Sequence, residues 1–159
     1  MTNIKGRVLI LEDDPIAGNI VRFVEGRSYE VVWARELDST IWYLEEEPGI
    51  EAFDKLLFDL SVPRCEAEHK DGRTPTYEGP YCGLVFIREN YIHNGDFKRA
   101  VDQGRVAMVT AHDKGMQPEF AKMIEENPEL EKIKIISKLA DDMAKQLIDF
   151  LAKEIKEDG

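Results

Sequence analysis

Short apolar runs recur along the chain, and most of them are followed directly by polar or charged residues. Five runs predict strands, at residues 8–11, 29–33, 55–60, 106–109 and 133–136. Continuous apolar runs are typical of parallel strands that are buried on both faces. Apolar residues at helical spacing predict helices after each strand, near residues 16–24, 38–47, 83–92, 116–126 and 140–156. This alternation predicts an α/β protein with a parallel sheet and right-handed crossovers.

Two stretches lack a clear pattern. After the turn marked by Asn94-Gly95, residues 96–103 carry only a weak signal for one further helical turn. Residues 61–82 contain three prolines and two glycines with little periodicity, which predicts a loop. A loop of this length inside a compact domain is usually a functional lid or a disordered segment.

Composition bounds the domain organisation and the class of partner. A chain of 159 residues with 43% hydrophobic residues is expected to form one domain with a real core. The net charge of −11 argues against binding to nucleic acid or to an anionic membrane surface. No apolar stretch has transmembrane length, and the first residues do not match a signal peptide. Because two cysteines without a leader indicate a reducing compartment, a cytoplasmic location is expected.

Polar side chains of different kinds lie at the ends of four predicted strands. They are Glu12 and Asp13 at the first, Asp59 at the third, Thr110 at the fourth and Lys138 at the fifth. Because the carboxyl ends of parallel strands meet at one edge of a sheet, we expect these groups to converge. Each group alone has an ordinary explanation as a turn former or a solvated residue. A helix cap at Asp14 before Pro15 is also ordinary, but it leaves the two acids before it unexplained.

The residue types at this edge suit phosphoryl transfer. Asp59 is the candidate nucleophile, since carboxylates form acyl phosphates in covalent catalysis. Mg²⁺ prefers hard oxygen ligands and takes few protein carboxylates, so Asp13 is a candidate ligand. Thr110 offers a hydroxyl donor to a phosphoryl group, and Lys138 offers a positive charge.

Four motifs in the chain resemble those of the receiver domain of two-component response regulators. They are Val8-Leu-Ile-Leu-Glu-Asp-Asp-Pro15, Leu57-Phe-Asp-Leu60, Val109-Thr-Ala-His112 and Ile136-Ser-Lys138. The resemblance covers essentially the whole chain, which implies a single receiver domain over residues 1–159. It implies a flavodoxin-like (βα)5 fold, with a doubly wound parallel five-stranded sheet of strand order 2-1-3-4-5.

The resemblance also implies a role for each motif residue. Asp59 would be the phospho-acceptor, Thr110 the switch hydroxyl and Lys138 the phosphate-binding lysine. Asp13 would be the more direct ligand of Mg²⁺. The full set implied for the metal is Glu12, Asp13, Asp59 and the backbone carbonyl of Ser61.

The function implied by the resemblance is signalling rather than catalytic turnover. Members of this family take phosphate from a histidine kinase or a histidine phosphotransfer protein. Phosphorylation then shifts the equilibrium between two surface conformations. No residues remain after the last predicted helix for an output domain. We therefore expect a stand-alone receiver, or one cut from a longer chain, that acts through a downstream protein partner as a monomer or weak homodimer.

The chain departs from the family pattern in four places. An insertion at about residues 64–82 follows the phospho-acceptor. Ile135 stands where the family has its switch aromatic residue, and Leu139 follows the lysine in place of the usual proline. The segment between the last two motifs is several residues longer than usual. The insertion suggests a lid that controls access to Asp59, with a mobile excursion into solvent as the alternative.

Other interpretations of the sequence stay open. A haloacid-dehalogenase-like phosphatase also uses a strand-end Asp, a Thr or Ser, a Lys and Mg²⁺, but it needs a second Asp where Ser61 stands. A pseudo-receiver that signals without phosphate predicts loss of the acceptor, the lysine or the acidic pair, and all are present. Cys65, His69 and Cys82 all lie in the insertion. Because a zinc site needs a fourth ligand and regular spacing, loop residues without a special role are favoured.

Overall fold

Five parallel strands form one sheet in the order β2-β1-β3-β4-β5, which confirms the predicted order. The computed structural model describes residues 3–12, 18–34, 43–44, 49–59, 82–110, 122 and 124–155, and the structural statements below refer to these residues. The strands are β1 Gly6–Leu11, β2 Tyr29–Ala34, β3 Lys55–Phe58, β4 Val106–Thr110 and β5 Lys134–Ser137. Their bounds agree closely with the apolar runs of the sequence.

Among the described residues, four helices of two turns or more accompany the sheet. They are α1 Gly18–Glu25, α2 Cys82–His93, α3 Gly95–Asp102 and α4 Met143–Ala152. Two 3-10 helices lie at Ile50–Ala52 and Pro128–Lys132. Residues 43–44, 122 and 124–126 are helical as well, which agrees with the second and fourth predicted helices wherever the chain is described.

Two helical predictions need correction. The segment after Asn94 is a full helix, α3, rather than one weak turn. The last helix is shorter than the predicted 140–156, because the chain turns before Met143 and the backbone at Lys153 is extended, with φ −64° and ψ 132°.

The alternation of side chains along each strand divides the core into two clusters. In β1, Leu9 and Leu11 belong to one cluster, whereas Val8 and Ile10 belong to the other. All four side chains are at most 2% exposed. A strand buried on both faces therefore supplies alternate residues to two separate cores.

Helices cover both faces of the sheet. Buried residues of α2 and α3, including Ile87 and Phe97, pack in the first cluster. Buried residues of α1 and α4, including Val24 and Leu147, pack in the second. The sheet is thus doubly wound. Buried polar groups occur where its strands begin and end.

Four polar or charged residues of the described chain are buried, two at each edge. Glu12 and Asp59 lie where strands end, which we call the carboxyl edge of the sheet. Lys55 and Arg105 lie where strands begin, which we call the amino edge. The Arg105 guanidinium donates to the carbonyls of Ile50 and Phe53. It therefore ties the turn before β3 to the start of β4.

Several predicted features lie outside the described residues. They are Asp13, Ser61, and the insertion at residues 64–82 with Cys65 and His69; the helical backbone of Cys82 is described, but its side chain is not. The predictions made for them stay predictions. No helix in the described part of the chain is long and apolar enough to cross a membrane.

Candidate functional site

Two carboxylates are held at the carboxyl edge by the ladder between β1 and its neighbours. Leu11 and Phe58 are paired at the ends of β1 and β3. The next residue of each strand continues the ladder, since Glu12 N donates to Ala34 O at 3.0 Å and Asp59 N donates to Leu11 O at 3.0 Å. The backbone therefore places Glu12 and Asp59 side by side.

A turn at the end of β5 carries the lysine of the site. Ser137 is the last residue of β5, and its Oγ accepts from the N–H of Leu139 at 3.2 Å. The carbonyl of Ser137 accepts from the N–H of Ala140 at 3.3 Å. Because both bonds fold the chain back at Ser137, Lys138 lies at the tip of this turn, at the same edge as the carboxylates.

The lysine contacts both carboxylates. Lys138 Nζ lies 2.5 Å from Glu12 Oε2 and 3.5 Å from Asp59 Oδ2. The side chain of Lys138 is 18% exposed, whereas those of Glu12 and Asp59 are 3% and 8% exposed. Two carboxylates and one ammonium group thus share a space that is nearly closed to water, and the ionised trio carries one excess negative charge.

This environment changes the pKa of Glu12 and of Lys138. Burial raises the pKa of Glu12 to about 7; the charge of Asp59 and a hydrogen bond with it act in the same direction, and Lys138 opposes them. Burial by itself lowers the pKa of Lys138. The hydrogen bond with Glu12 and the two carboxylate charges outweigh that effect, so the pKa of Lys138 is raised.

Solved structures resemble this chain over almost its whole length. The non-phosphorylated HemR receiver domain from Leptospira biflexa has a TM-score of 0.61 and 18% identity, over 97% of this chain and 100% of that one. Chemotaxis response regulator CheY4 of Vibrio cholerae has a TM-score of 0.58 and 16% identity, over 94% and 99%. A CheY-like receiver domain protein from Methanospirillum hungatei JF-1 has a TM-score of 0.57 and 18% identity, over 94% and 91%. This chain has the receiver-domain fold.

The likeness to receivers is one of fold. The identities of 16–18% are low, so the TM-scores of 0.57–0.61 show a shared fold and no more. No family model and no curated protein matches the sequence. The chemistry at the carboxyl edge must therefore be argued from the residues of this chain.

Trp33 is a residue of the carboxyl edge that the sequence interpretation did not assign to the site. Its indole Nε1 donates to the backbone carbonyl of Glu12 at 2.8 Å. It therefore fixes the chain where the acidic segment leaves β1. The only signal in the sequence is a tryptophan near the end of the strand that neighbours β1, and that signal does not separate a site residue from a core residue.

The remaining predicted site residues are only partly described. Thr110 is the last residue of β4 and is paired with Ser137, so its backbone is at the carboxyl edge of the sheet. Its side chain, like Asp13 and Ser61, lies outside the described part. Ile135, at the position of the family's switch aromatic, is half-buried against the core. Leu139, which replaces the family's proline, is 76% exposed.

The carboxylates of the carboxyl edge fit a magnesium ion. Mg²⁺ is usually held by one or two carboxylates and keeps several waters. Glu12 and Asp59 supply such oxygens, although no group of three metal-ligating side chains occurs within the described ranges. When Glu12 and Asp59 are both ionised, Lys138 compensates only one of their two negative charges. A cation at this position would compensate the rest.

Proposed function

We propose that this protein is a phospho-accepting receiver of a two-component system or phosphorelay. Asp59 accepts the phosphoryl group from a histidine kinase or a histidine phosphotransfer protein, and Mg²⁺ takes part. The phosphorylated protein then signals to a downstream protein by a change of conformation. The observation that carries this proposal is the buried Asp59 carboxylate at the end of β3, within 3.5 Å of the Lys138 ammonium group and beside Glu12.

The proposed step is an in-line transfer. An Asp59 carboxylate oxygen attacks phosphorus and forms a new P–O bond, while the bond between phosphorus and its leaving group breaks. The electron pair of that bond leaves with the imidazole of the donor histidine, or with acetate when acetyl phosphate is the donor. Mg²⁺, when bound, supplies positive charge that compensates the phosphoryl oxygens.

Lys138 is proposed to change partners during this step. An acyl phosphate carries more negative charge than the carboxylate it replaces, so the attraction of Lys138 to residue 59 increases. The ammonium group then moves from Glu12 towards the phosphoryl oxygens. Because Lys138 lies at the tip of the turn after β5, its movement changes the surface around the exposed Leu139.

Three further roles belong to the proposal. Asp13 is the main Mg²⁺ ligand together with Glu12 and Asp59, and the carbonyl of Ser61 completes the site. Thr110 donates its hydroxyl to the phosphoryl group. These roles rest on the sequence motifs, and the position of Thr110 at the end of β4 supports the last of them.

Acetyl phosphate provides the test. Incubation with acetyl phosphate and Mg²⁺ should add the mass of one phosphoryl group to the intact protein. Asp59→Asn should abolish the gain, because an amide is a poor nucleophile. Asp141→Asn, which alters an exposed carboxylate just beyond the lysine turn, is the matched control and should label like the unmodified protein.

Other outcomes identify the competing functions. Stoichiometric labelling of the Asp59→Asn variant would contradict the assignment of Asp59. Sustained release of phosphate from phosphate esters, with many turnovers per protein, would indicate a phosphatase instead. A protein that takes no label but still binds its partner through this edge would be a pseudo-receiver.

A further inference from the structure

A pocket of about 430 Å³ lies at the amino edge of the sheet, at the opposite end from Asp59. It is formed by the first residues of β2 and β3 and by the chain that leaves α4, among them Tyr29, Lys55, Leu151 and Ile155. β3 connects the two ends, since Lys55 is its first residue and Asp59 follows its last. At about 3.3 Å per residue, the backbones of these two residues are about 13 Å apart.

The chemical centre of the pocket is a buried lysine. Lys55 is 2% exposed. Its Nζ donates to the carbonyl of Lys153 at 2.8 Å and lies 4.9 Å from the centre of the Phe150 ring. An ammonium group has three N–H donors, and no second hydrogen-bond acceptor for Lys55 is found among the described residues. A buried cation with one acceptor is costly, and an added anion would complete its hydrogen bonding.

The rest of the pocket is suited to an apolar tail. Leu151, Ala152 and Ile155 contribute aliphatic surface, and Ile155 is 38% exposed. The Tyr29 hydroxyl does not compete as a donor, because it already donates to the carbonyl of Leu151 at 3.0 Å. The pocket therefore combines a lysine in its lining with an apolar wall.

The charges that line the pocket favour a single negative charge. Three lysines, at positions 5, 55 and 153, face two acidic residues, Asp54 and Glu154, so the lining carries a formal charge of +1. Asp54 is partly satisfied, since its Oδ2 accepts from the N–H of Arg7 at 2.8 Å. A local positive charge in a chain of net charge −11 is a place where an anion can bind.

We propose that this pocket binds a small organic carboxylate, whose carboxylate group accepts hydrogen bonds from Lys55 and whose short alkyl chain lies against Leu151 and Ile155. The site is independent of the phosphoryl chemistry proposed for the other edge. Inorganic phosphate would use the charge without the apolar wall, and a neutral alcohol would use the wall without the charge.

The titration of Lys55 supports the proposal. Burial lowers the pKa of Lys55 to about 8; the charges of Lys153 and Arg105 act in the same direction, and Asp54 opposes them. The other charged or titratable groups around the pocket are those of Lys5, Tyr29 and Glu154. A bound carboxylate favours the ammonium form, so its affinity should fall as the pH rises through about 8.

Titration of the whole chain with hexanoate, followed by amide NMR, tests the site. Hexanoate should shift the signals of residues 151–155 and bind about tenfold more tightly than acetate, since two buried CH₂ groups are sufficient for that factor. Hexanol and inorganic phosphate, at the same ionic strength, should bind at least about tenfold more weakly than hexanoate. Equal binding of hexanoate and hexanol would overturn the proposal.

A pair of lysine variants locates the cation. Lys55→Met should weaken hexanoate about tenfold or more, because it removes the charge-assisted hydrogen bond. Lys134→Met is the matched control, since Lys134 is also the first residue of a strand but is exposed. The affinity of this variant for hexanoate should equal that of the unmodified protein. Unchanged affinity of a folded Lys55→Met variant would contradict the proposal.

Chemical protection provides a test that does not depend on folding of the variant. Reductive methylation with formaldehyde and borohydride, read by peptide mass, reports whether the Lys55 amine is accessible in the unmodified protein. Hexanoate should slow methylation of Lys55 severalfold, and hexanol should not. Equal rates at Lys55 with and without hexanoate would exclude binding at this amine.

Discussion

Glu12, Asp59 and Lys138 meet in a space that is almost closed to water, where charges interact strongly. The lysine lies nearer to Glu12 than to the proposed phospho-acceptor. Its ammonium group therefore stabilises the acidic site before any phosphoryl group arrives. The energetic consequences can be measured on the unphosphorylated protein.

The first prediction concerns Glu12→Gln. The pKa of Glu12 is raised from 4.5 to about 7 in the folded chain, so folding favours its protonated form. The stability contributed by Glu12 is fully present below pH 4.5 and is lost as the pH rises through about 7. Glutamine cannot ionise, so at pH 8 in EDTA this variant should be more stable than the unmodified protein by about 1–3 kcal/mol.

Urea unfolding at pH 8 and at pH 4.5 checks the sign. The advantage of Glu12→Gln should nearly disappear at pH 4.5, where Glu12 is protonated in the folded chain and about half protonated in the unfolded chain. Glu25→Gln, at the exposed end of α1, changes the same atoms and should show no comparable difference. A variant that is less stable at pH 8 would mean that the ion pair with Lys138 outweighs the cost of burying the carboxylate.

The second prediction concerns Lys138→Met. Its removal leaves two buried carboxylates without their shared cation, and breaking a buried pair in this way typically costs about 3–5 kcal/mol. Because the lysine is 18% exposed, we expect about 1–3 kcal/mol at pH 8. The loss should shrink on acidification as the carboxyl groups protonate. Lys145→Met, on the exposed side of α4, is the control for chemical denaturation.

The positions of the site residues could be predicted from the sequence, but their pairing could not. Asp59 and Lys138 were expected at one edge because each lies at the end of an apolar run. That Lys138 lies 2.5 Å from Glu12 depends on the path of the turn at Ser137. The role of Trp33 depends on the neighbouring strand in the same way.

The ends of the last helix could not be predicted from the sequence either. Leu139 and Ile155 share the apolar spacing of the last helix, which the sequence predicts over residues 140–156. The structure leaves them 76% and 38% exposed and ends α4 at Ala152. Periodicity identifies an apolar face, but it does not show where a helix begins or ends. The start of α4 follows the turn that places Lys138 at the carboxyl edge, and its end precedes the chain that lines the amino-edge pocket.

The third prediction concerns Asn94, which lies between α2 and α3. Asn94 Oδ1 accepts from the N–H groups of Asp96 and Phe97 at 3.1 and 3.2 Å, so the residue that the sequence marks as a turn is the N-cap of α3. Asn94→Ala should destabilise the protein by about 1 kcal/mol, because both N–H groups lose their acceptor. Thermal or urea unfolding measures the loss.

A second substitution at the same position is the control for the cap. Asn94→Ser keeps a side-chain oxygen of similar reach and should retain most of the stability. Equal losses for alanine and serine would show that Asn94 contributes through something other than its capping bonds.

At the scale of the whole molecule, the sheet order follows from patterns that sequence reasoning handles well. Runs such as Val8–Leu11 are apolar throughout because both faces of the strand are buried, and the order of strands agrees with the family resemblance. The insertion at residues 64–82 has no such pattern, and its proposed role as a lid stays a prediction. The buried Lys55 also gave no signal, since a lysine before an apolar run is ordinarily a solvated strand start.

The fourth prediction concerns Mg²⁺ and the stability of the whole chain. If Glu12 and Asp59 hold the ion together with Asp13, binding should stabilise the folded state by about 2.7 kcal/mol at one hundred times the Kd. For a domain of this size, the Tm should rise by about 5–10 °C at that concentration and keep rising with the logarithm of the Mg²⁺ concentration. Differential scanning fluorimetry with increasing Mg²⁺ measures the rise.

General screening of the acidic chain must be separated from binding at the site. Sodium chloride at the same ionic strength is the first control, because the net charge of −11 makes any cation favourable. Asp59→Asn is the second, since it removes one of the proposed ligands and should reduce the rise in Tm at each Mg²⁺ concentration. A rise that is the same in both proteins would place the effect outside this site.

The charges at the two ends of β3 also determine where this strand can lie along its own axis. Sliding β3 by two residues would keep the same side chains facing each core, so Leu56, Leu57 and Phe58 alone do not forbid it. The slide would, however, remove Lys55 from the carbonyl of Lys153 and move Asp59 away from Lys138 by about 7 Å. The short central strand is thus fixed in translation by its two ionic ends, and shortening or lengthening it would disturb both edges of the sheet together.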